Sequence, residues 1–219
     1  MTVDPRSVGP RSTGAGPAGR RSERTTADRI LDEAIGAFGA RGYEATSLDD
    51  LARALGLAKQ TILYWFPSKE ALLGAVVDRA ADEVTTRAAR ALAGAEPGFG
   101  RVEAVVRAGF RMAARHPAML AVVREAGRLG PPASTRLVER LGPLVDAASA
   151  WLEAEMAAGR MRRHEPRLLL LSAWSMVTGL STDAEVLRAF GEAPDLAGLV
   201  RRRDELVSLL RAALEPAPG

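Results

Sequence analysis

Ser47-Leu48-Asp49-Asp50-Leu51-Ala52-Arg53-Ala54-Leu55-Gly56-Leu57-Ala58-Lys59-Gln60-Thr61-Ile62-Leu63-Tyr64-Trp65-Phe66 is the stretch on which the fold of this 219-residue chain turns. Ser47, followed three residues later by Asp50, has the form of a capping box, in which each side chain satisfies an orphan backbone donor of the other at a helix start. Leu48, Leu51, Ala52 and Leu55 recur at helical spacing and give that short helix one apolar face. Gly56 falls where the chain must turn sharply, and glycine takes a positive φ at little steric cost. Ala52 is small enough to let a second helix pass close across the first. Leu57, Ile62 and Trp65 or Phe66 supply that second helix's inward anchors. Two helices crossing steeply through a short turn require these spacings. The second helix then presents Lys59, Gln60, Leu63 and Tyr64 outwards. They include a cation, an amide able to pair with adenine or a phosphate, and a phenol suited to a backbone oxygen. A hairpin used only for packing would need the same anchors. The two caps, the anchors and the exposed polar face together favour a pair of helices that reads duplex DNA.

Outward from this segment, apolar residues keep a helical period and no alternating strand pattern appears. Ile30, Leu31, Ala34, Ile35 and Phe38 form one stripe, opened by Thr25 and Asp28 as a second capping box and stopped by Arg41-Gly42. A long helix is expected from Ser68 to Ala93, with Leu72, Leu73, Val76, Val77, Ala80 and Val84 inward. Further helices carry Val102 to Phe110, closed by His116-Pro117, and Met119 to Ala126, ended by Gly130-Pro131-Pro132. Ser134 is placed to cap another long helix through Trp151 and Leu152, kinked at Gly142-Pro143. Glu165-Pro166 opens the next, and a last helix follows Pro194 with Leu199, Leu206 and Leu210 on one face. The expectation is all-α, about eight to ten helices without a sheet. An N-terminal three-helix helix-turn-helix domain over residues 25–70 joins a larger helical bundle over residues 71–219. Residues 1–24, rich in Gly, Pro, Ser, Thr and Arg, have too little apolar surface to offset ordering and are expected to be a disordered arginine-containing arm.

Composition excludes several classes of function. The chain has no cysteine, so disulfides and thiolate metal sites are ruled out. No apolar run is long enough to span a membrane, and the N-terminus lacks the apolar core of a secretion signal, so a soluble, cytoplasmic protein is expected. The two histidines, His116 and His164, are far apart, and no metal-spaced pair, glycine-rich phosphate loop or nucleophile elbow is present. Neither catalytic residues nor a metal or cofactor are therefore expected. The net charge is +3, and residues 1–24 alone carry Arg6, Arg11, Arg20, Arg21 and Arg24 against Asp4 and Glu23. Lysine occurs only as Lys59 and Lys69, both in the segment read as lying on DNA.

Residues 25–73 resemble the DNA-binding domain of the TetR/AcrR-type regulators. The resemblance is carried by Arg29-Ile30-Leu31-Asp32-Glu33-Ala34 with Phe38, and by Arg41-Gly42-Tyr43-Glu44-Ala45-Thr46-Ser47. It continues through Leu51-Ala52, Leu55-Gly56-Leu57 and Thr61 to Phe66-Pro67-Ser68-Lys69-Glu70-Ala71-Leu72. It implies that Thr46 and Ser47 hold phosphates, that Lys59, Gln60 and Thr61 lie at the front of the recognition helix, and that Tyr64 and Lys69 touch the DNA backbone. Two positions depart from the family pattern: Leu63 stands where tyrosine is common, and Trp65 where histidine is common. Leu63 then either meets a thymine methyl or packs. Arg20, Arg21 and Arg24, just before the first helix, either reach a neighbouring groove or are solvated.

The resemblance further implies a homodimeric repressor on a palindromic double-stranded operator, released by a small-molecule effector, with an activator or a non-binding relative as the alternative. Two half-sites one helical turn apart need two reading helices at fixed separation. Leu168, Leu169, Trp174, Val177, Leu199, Leu206 and Leu210 on the last two long helices are candidates for the dimer interface, against packing within one subunit. Phe110, Met112, Met119, Trp151 and Met156 are candidates to line an adaptable, largely apolar effector pocket, with Arg111, His116 or Arg124 orienting a polar group, against a plain core role.

Overall fold

Local rules set the helix ends. The computed structural model of the protein describes residues 25–216, and the arm expected over residues 1–24 lies outside them. Among the described residues the chain forms ten α-helices and no strand. They are α1 (Thr26–Arg41), α2 (Leu48–Leu55), α3 (Lys59–Trp65), α4 (Lys69–Ala93), α5 (Phe99–Arg115), α6 (Pro117–Leu129), α7 (Ala133–Ala157), α8 (Pro166–Thr182), α9 (Ala184–Ala189) and α10 (Leu196–Leu214). Thr25 and Asp28 close the first capping box and Ser47 and Asp50 the second. Gly56 sits at φ 65°, ψ 32°, the left-handed conformation that the turn between α2 and α3 requires, and Leu57 returns its N–H to the Ala52 carbonyl at 2.9 Å. Ser68 caps α4, and Glu165 caps α8 with Pro166 in its first turn. Two expectations are corrected. The helix α7 begins at Ala133 with Pro132 at its cap, so Ser134 lies inside it, where its N–H already meets the Gly130 carbonyl. The short helix α9 was not foreseen as a separate element.

The three helices at the N-terminus do not enclose a core by themselves. Ile30, Phe38, Leu51 and Ile62 are fully buried together with Leu72, Val76 and Val77 of α4 and Val122, Val123 and Ala126 of α6. This core runs across position 70, and α4 is its spine: 25 residues long, it extends about 37 Å. The contact between α1 and α6 is close enough to involve main chain. A Cβ on Gly39 would lie 2.9 Å from the Ala118 carbonyl oxygen.

Beyond the first core, α5, α8 and α10 pack around Phe99, Val106, Phe110, Val177, Leu206, Leu210 and Leu214. Ion pairs tie the long helices together at their edges. Arg136 of α7 donates two hydrogen bonds to Asp78 of α4, at 2.8 and 2.6 Å. One turn on, Arg140 pairs with Asp82 and also lies 3.7 Å from Asp78. Arg202, buried on α10, donates to the carbonyls of Leu180 and Ala193, both at 2.8 Å, and so satisfies the end of α8.

The crowding at Gly39 gives a test with an internal control. Gly39→Val must displace α6 and is expected to lower unfolding free energy by about 1–3 kcal/mol in a denaturant titration. Gly36→Ala, at a helical position with open space around it, is expected to raise it by about 0.5–1 kcal/mol.

Candidate nucleic-acid interface

The α3 helix exposes one continuous polar and aromatic face. Ile62 is fully buried, and Leu63 and Phe66 pack against the core from the sides, which leaves Gln60, Tyr64 and Trp65 to solvent with Thr61 half-buried between them. Tyr64 is 80% exposed and Trp65 45%, and their rings meet edge to face at 5.4 Å. Phe66 is therefore the inward anchor and Trp65 is not. Leu63, expected outwards, is turned partly into the core and offers only part of its side chain. Trp65 is the exposed aromatic that sequence reasoning missed. The Tyr-Trp-Phe run left open which aromatic points in, and the turn after α3 decides it.

Lys59 is exposed at the start of α3 and its Nζ lies 2.8 Å from Oδ2 of Asp49 on α2. Ser47 is exposed at the start of α2. Its hydroxyl donates to Asp50 at 2.6 Å and accepts the Asp50 N–H. The Ser47 hydroxyl and the Ser47 N–H, which donates to the same carboxylate at 3.2 Å, hold the Asp50 carboxyl down to about 2, with Arg53 beside it. Thr46 requires a correction. It is fully buried, its hydroxyl donates to the Gly42 carbonyl at 2.9 Å, and its N–H goes to the Tyr43 carbonyl. It locks the turn between α1 and α2 and has no group free for a phosphate.

Tyr43 is the node behind this face. Its N–H is accepted by Glu125 of α6 at 3.0 Å, and its hydroxyl donates to Glu70 at 3.2 Å. Burial, with Glu70 beside it, pushes the Tyr43 phenol up to about 12, so it stays a donor. The Lys69 ammonium sits 4.1 Å above the Tyr43 ring and within 3.5 Å of the Glu44 carbonyl. Arg128 donates to both Glu125 oxygens, at 2.7 and 2.8 Å, and holds that carboxyl below the usual range. Over residues 25–70 five cations (Arg29, Arg41, Arg53, Lys59, Lys69) face seven carboxylates (Asp28, Asp32, Glu33, Glu44, Asp49, Asp50, Glu70), a balance of −2.

The other candidate residues are dispersed. Of the seven for a dimer interface, Val177, Leu206 and Leu210 are buried inside the subunit, and Leu169 and Leu199 pack against the same cluster. Trp174 packs between the first core and Met112. Leu168 is exposed, and α8 instead turns a stripe of Leu168, Leu171, Ser172, Ser175 and Gly179 outwards. The five candidates to line an effector pocket do not line one space. Phe110 belongs to the α5–α8–α10 core, and Trp151 and Met156 lie with Leu152 and Met161. His116 is exposed between α5 and α6. Met112 and Met119 do meet, around Ala113, Leu120, Val84 and Trp174.

Comparison with known proteins agrees with this geometry. The family model for bacterial regulatory proteins of the tetR family matches residues 30–76. The HTH-type transcriptional regulator RutR of Escherichia coli (strain K12) is 26% identical over 167 residues, 72% of this chain and 75% of its own. The HTH-type transcriptional regulator EthR of Mycobacterium tuberculosis (strain ATCC 25618 / H37Rv) is 28% identical over 185 residues, 82% and 85% of the two chains. Among solved structures, AibR in complex with isovaleryl coenzyme A and operator DNA superposes with a TM-score of 0.70 at 20% identity, over 85% of this chain and 97% of AibR. A TetR transcriptional regulator from Chloroflexus aurantiacus J-10-fl gives a TM-score of 0.71 at 24% identity, over 88% and 97%.

A buried Thr46 and a phosphate-holding Thr46 differ in outcome. Thr46→Val, which keeps the shape and removes the hydroxyl, is expected to cost about 1–2 kcal/mol of unfolding free energy while leaving the salt dependence of DNA binding unchanged.

Proposed function

We propose that this chain, which belongs to the TetR family of bacterial regulatory proteins, binds a palindromic double-stranded operator as a homodimer, represses transcription there, and is released by a small-molecule effector. The observation that carries the reading is the outward face of α3. Gln60, Tyr64 and Trp65, with Thr61 between them, stand clear of the core on a helix preceded by a capped partner helix and a left-handed glycine. Such a helix enters the major groove with amide and hydroxyl groups towards base edges and larger side chains towards the backbone. Residues 25–70 act as the reading head in this account and residues 71–219 as the part that pairs and senses. Ser47 and Lys69 stand beside the phosphates. Because the head is negative overall, Arg20, Arg21 and Arg24 supply the excess positive charge from the N-terminal side.

The α8 stripe supports pairing. From Leu168 to Thr182 that helix carries no charged residue, and Leu168 and Leu171 are 62% and 59% exposed. Small residues at Ser172, Ser175 and Gly179 would let a second copy approach closely. The Met112–Met119–Trp174 cluster supports sensing. It is flexible, apolar and lies where α4, α5, α6 and α8 meet, next to the two helices that wall the head. An apolar effector admitted there would displace α4 or α6, a coupling of about 1–3 kcal/mol between effector and DNA.

The purified chain titrated against the DNA flanking its own gene is expected to show tight, saltable binding to a palindromic site. Gln60→Ala/Tyr64→Ala should weaken it about tenfold or more, as the loss of direct contacts worth about 1–3 kcal/mol requires. Undiminished binding by that variant would refute the assignment of the face. Leu171→Asp should give a folded monomer by sedimentation, with operator affinity lost in step; an unchanged dimer would move the interface elsewhere.

A further inference from the structure

The cation at the start of the reading helix is already matched before DNA arrives. Lys59 Nζ and Asp49 Oδ2 are 2.8 Å apart, with both side chains about half exposed (46% and 58%). Helical geometry explains the meeting. With 3.6 residues per turn, Lys59 projects about 140° away from Tyr64 and towards α2, while Gln60, Thr61 and Tyr64 project away from it. Asp50, the neighbouring carboxylate, is engaged by Ser47 and Arg53. Glu44 is a further exposed acidic residue, and its main-chain carbonyl accepts from Lys69.

Resting on the reading that this face binds duplex DNA, we propose that operator binding is an ion exchange at the Lys59–Asp49 pair, which makes Asp49 the residue that sets how steeply salt weakens the complex. Lys59 leaves Asp49 for a backbone phosphate, and that phosphate releases its condensed counterion. A cation from solution takes the place of the lysine on Asp49. The charges balance, and the net number of ions released at this pair is zero. A lysine without Asp49 would release one ion for each phosphate it neutralised and so favour any duplex, whatever its sequence. Asp49 removes that indiscriminate gain and leaves the contacts of Gln60 and Thr61 with bases undiminished. The pair needs no great strength for this, because an exposed ion pair of this kind contributes little to stability in any case. What matters is the count of ions exchanged.

The test is a cycle of salt titrations on the full chain, with Asp49→Asn, Lys59→Gln and the double variant. Each is measured between about 50 and about 200 mM salt against the gene-flanking duplex and a random duplex of equal length. Lys59→Gln is expected to keep the wild-type slope of log affinity against log salt. Asp49→Asn should steepen it by about 0.9 per head, about 1.8 for a dimer, and the double variant should return to the wild-type slope. Asp49→Asn should also tighten binding to both duplexes by about fivefold at the low-salt end. A Lys59→Gln slope flatter than wild type, or an Asp49→Asn slope equal to it, would overturn the exchange while leaving the DNA-binding reading intact. A wild type without saltable binding to either duplex would overturn both. Far-UV circular dichroism and melting temperature check that each variant is folded. If Asp49→Asn is not, Asp49→Ser removes the same charge and carries the same expectation.

Discussion

A head of three short helices, of 16, 8 and 7 residues, cannot bury its own apolar face, and the rest of the architecture answers that constraint. The missing walls come from α4 and α6, whose Leu72, Val76, Val77, Val122, Val123 and Ala126 complete the core around Ile30, Phe38, Leu51 and Ile62. The helix α3 is thus fixed to the larger part of the molecule by packing and not by a linker. The absence of a side chain at Gly39 lets α1 and α6 meet at main-chain distance. Around the edge of the same contact Tyr43 joins Glu125, Glu70 and Lys69. The exposed face of α3 is thereby tied to α4 and α6 by shared packing.

Much of this was legible in the sequence because it depends on neighbours three and four residues apart. The capping boxes at Thr25 and Ser47, the left-handed Gly56, the break at His116-Pro117 and the start at Pro166 are local rules, and the structure follows them. What could not be read was orientation. In Tyr64-Trp65-Phe66 three aromatics compete for one inward position, and the path of the chain after α3 awards it to Phe66. The helix α8 is apolar on nearly every side, so its period alone gives no reason why Val177 faces α5 and α10 while Leu171 faces out. Thr46 looked like a hydroxyl at a helix start. The carbonyl of Gly42, brought back by the turn, makes it a buried staple.

The charge of the chain shows the same division between local and global. The whole sequence is basic, +3, yet residues 25–70 are acidic. Net charge pointed to a polyanionic partner, but it could not show that both lysines of the head are engaged within it, Lys59 by Asp49 and Lys69 by Tyr43 and Glu44. Affinity for a polyanion on such a surface depends on which groups let go of which, and only the folded arrangement specifies that.

The ion pairs between α4 and α7 have a mechanical consequence. Asp78 and Asp82 on one helix, and Arg136 and Arg140 on the other, repeat at the spacing of one helical turn, with Arg140 within reach of both carboxylates. Two combs of equal pitch engage well only where their teeth coincide. Sliding α4 along α7 would pass from one good register to the next in a step of about 6 Å, four residues of rise, with a poorly matched position between. Any displacement of α4 along α7 would therefore be indexed, as on a notched rod, and would settle at steps of about one turn.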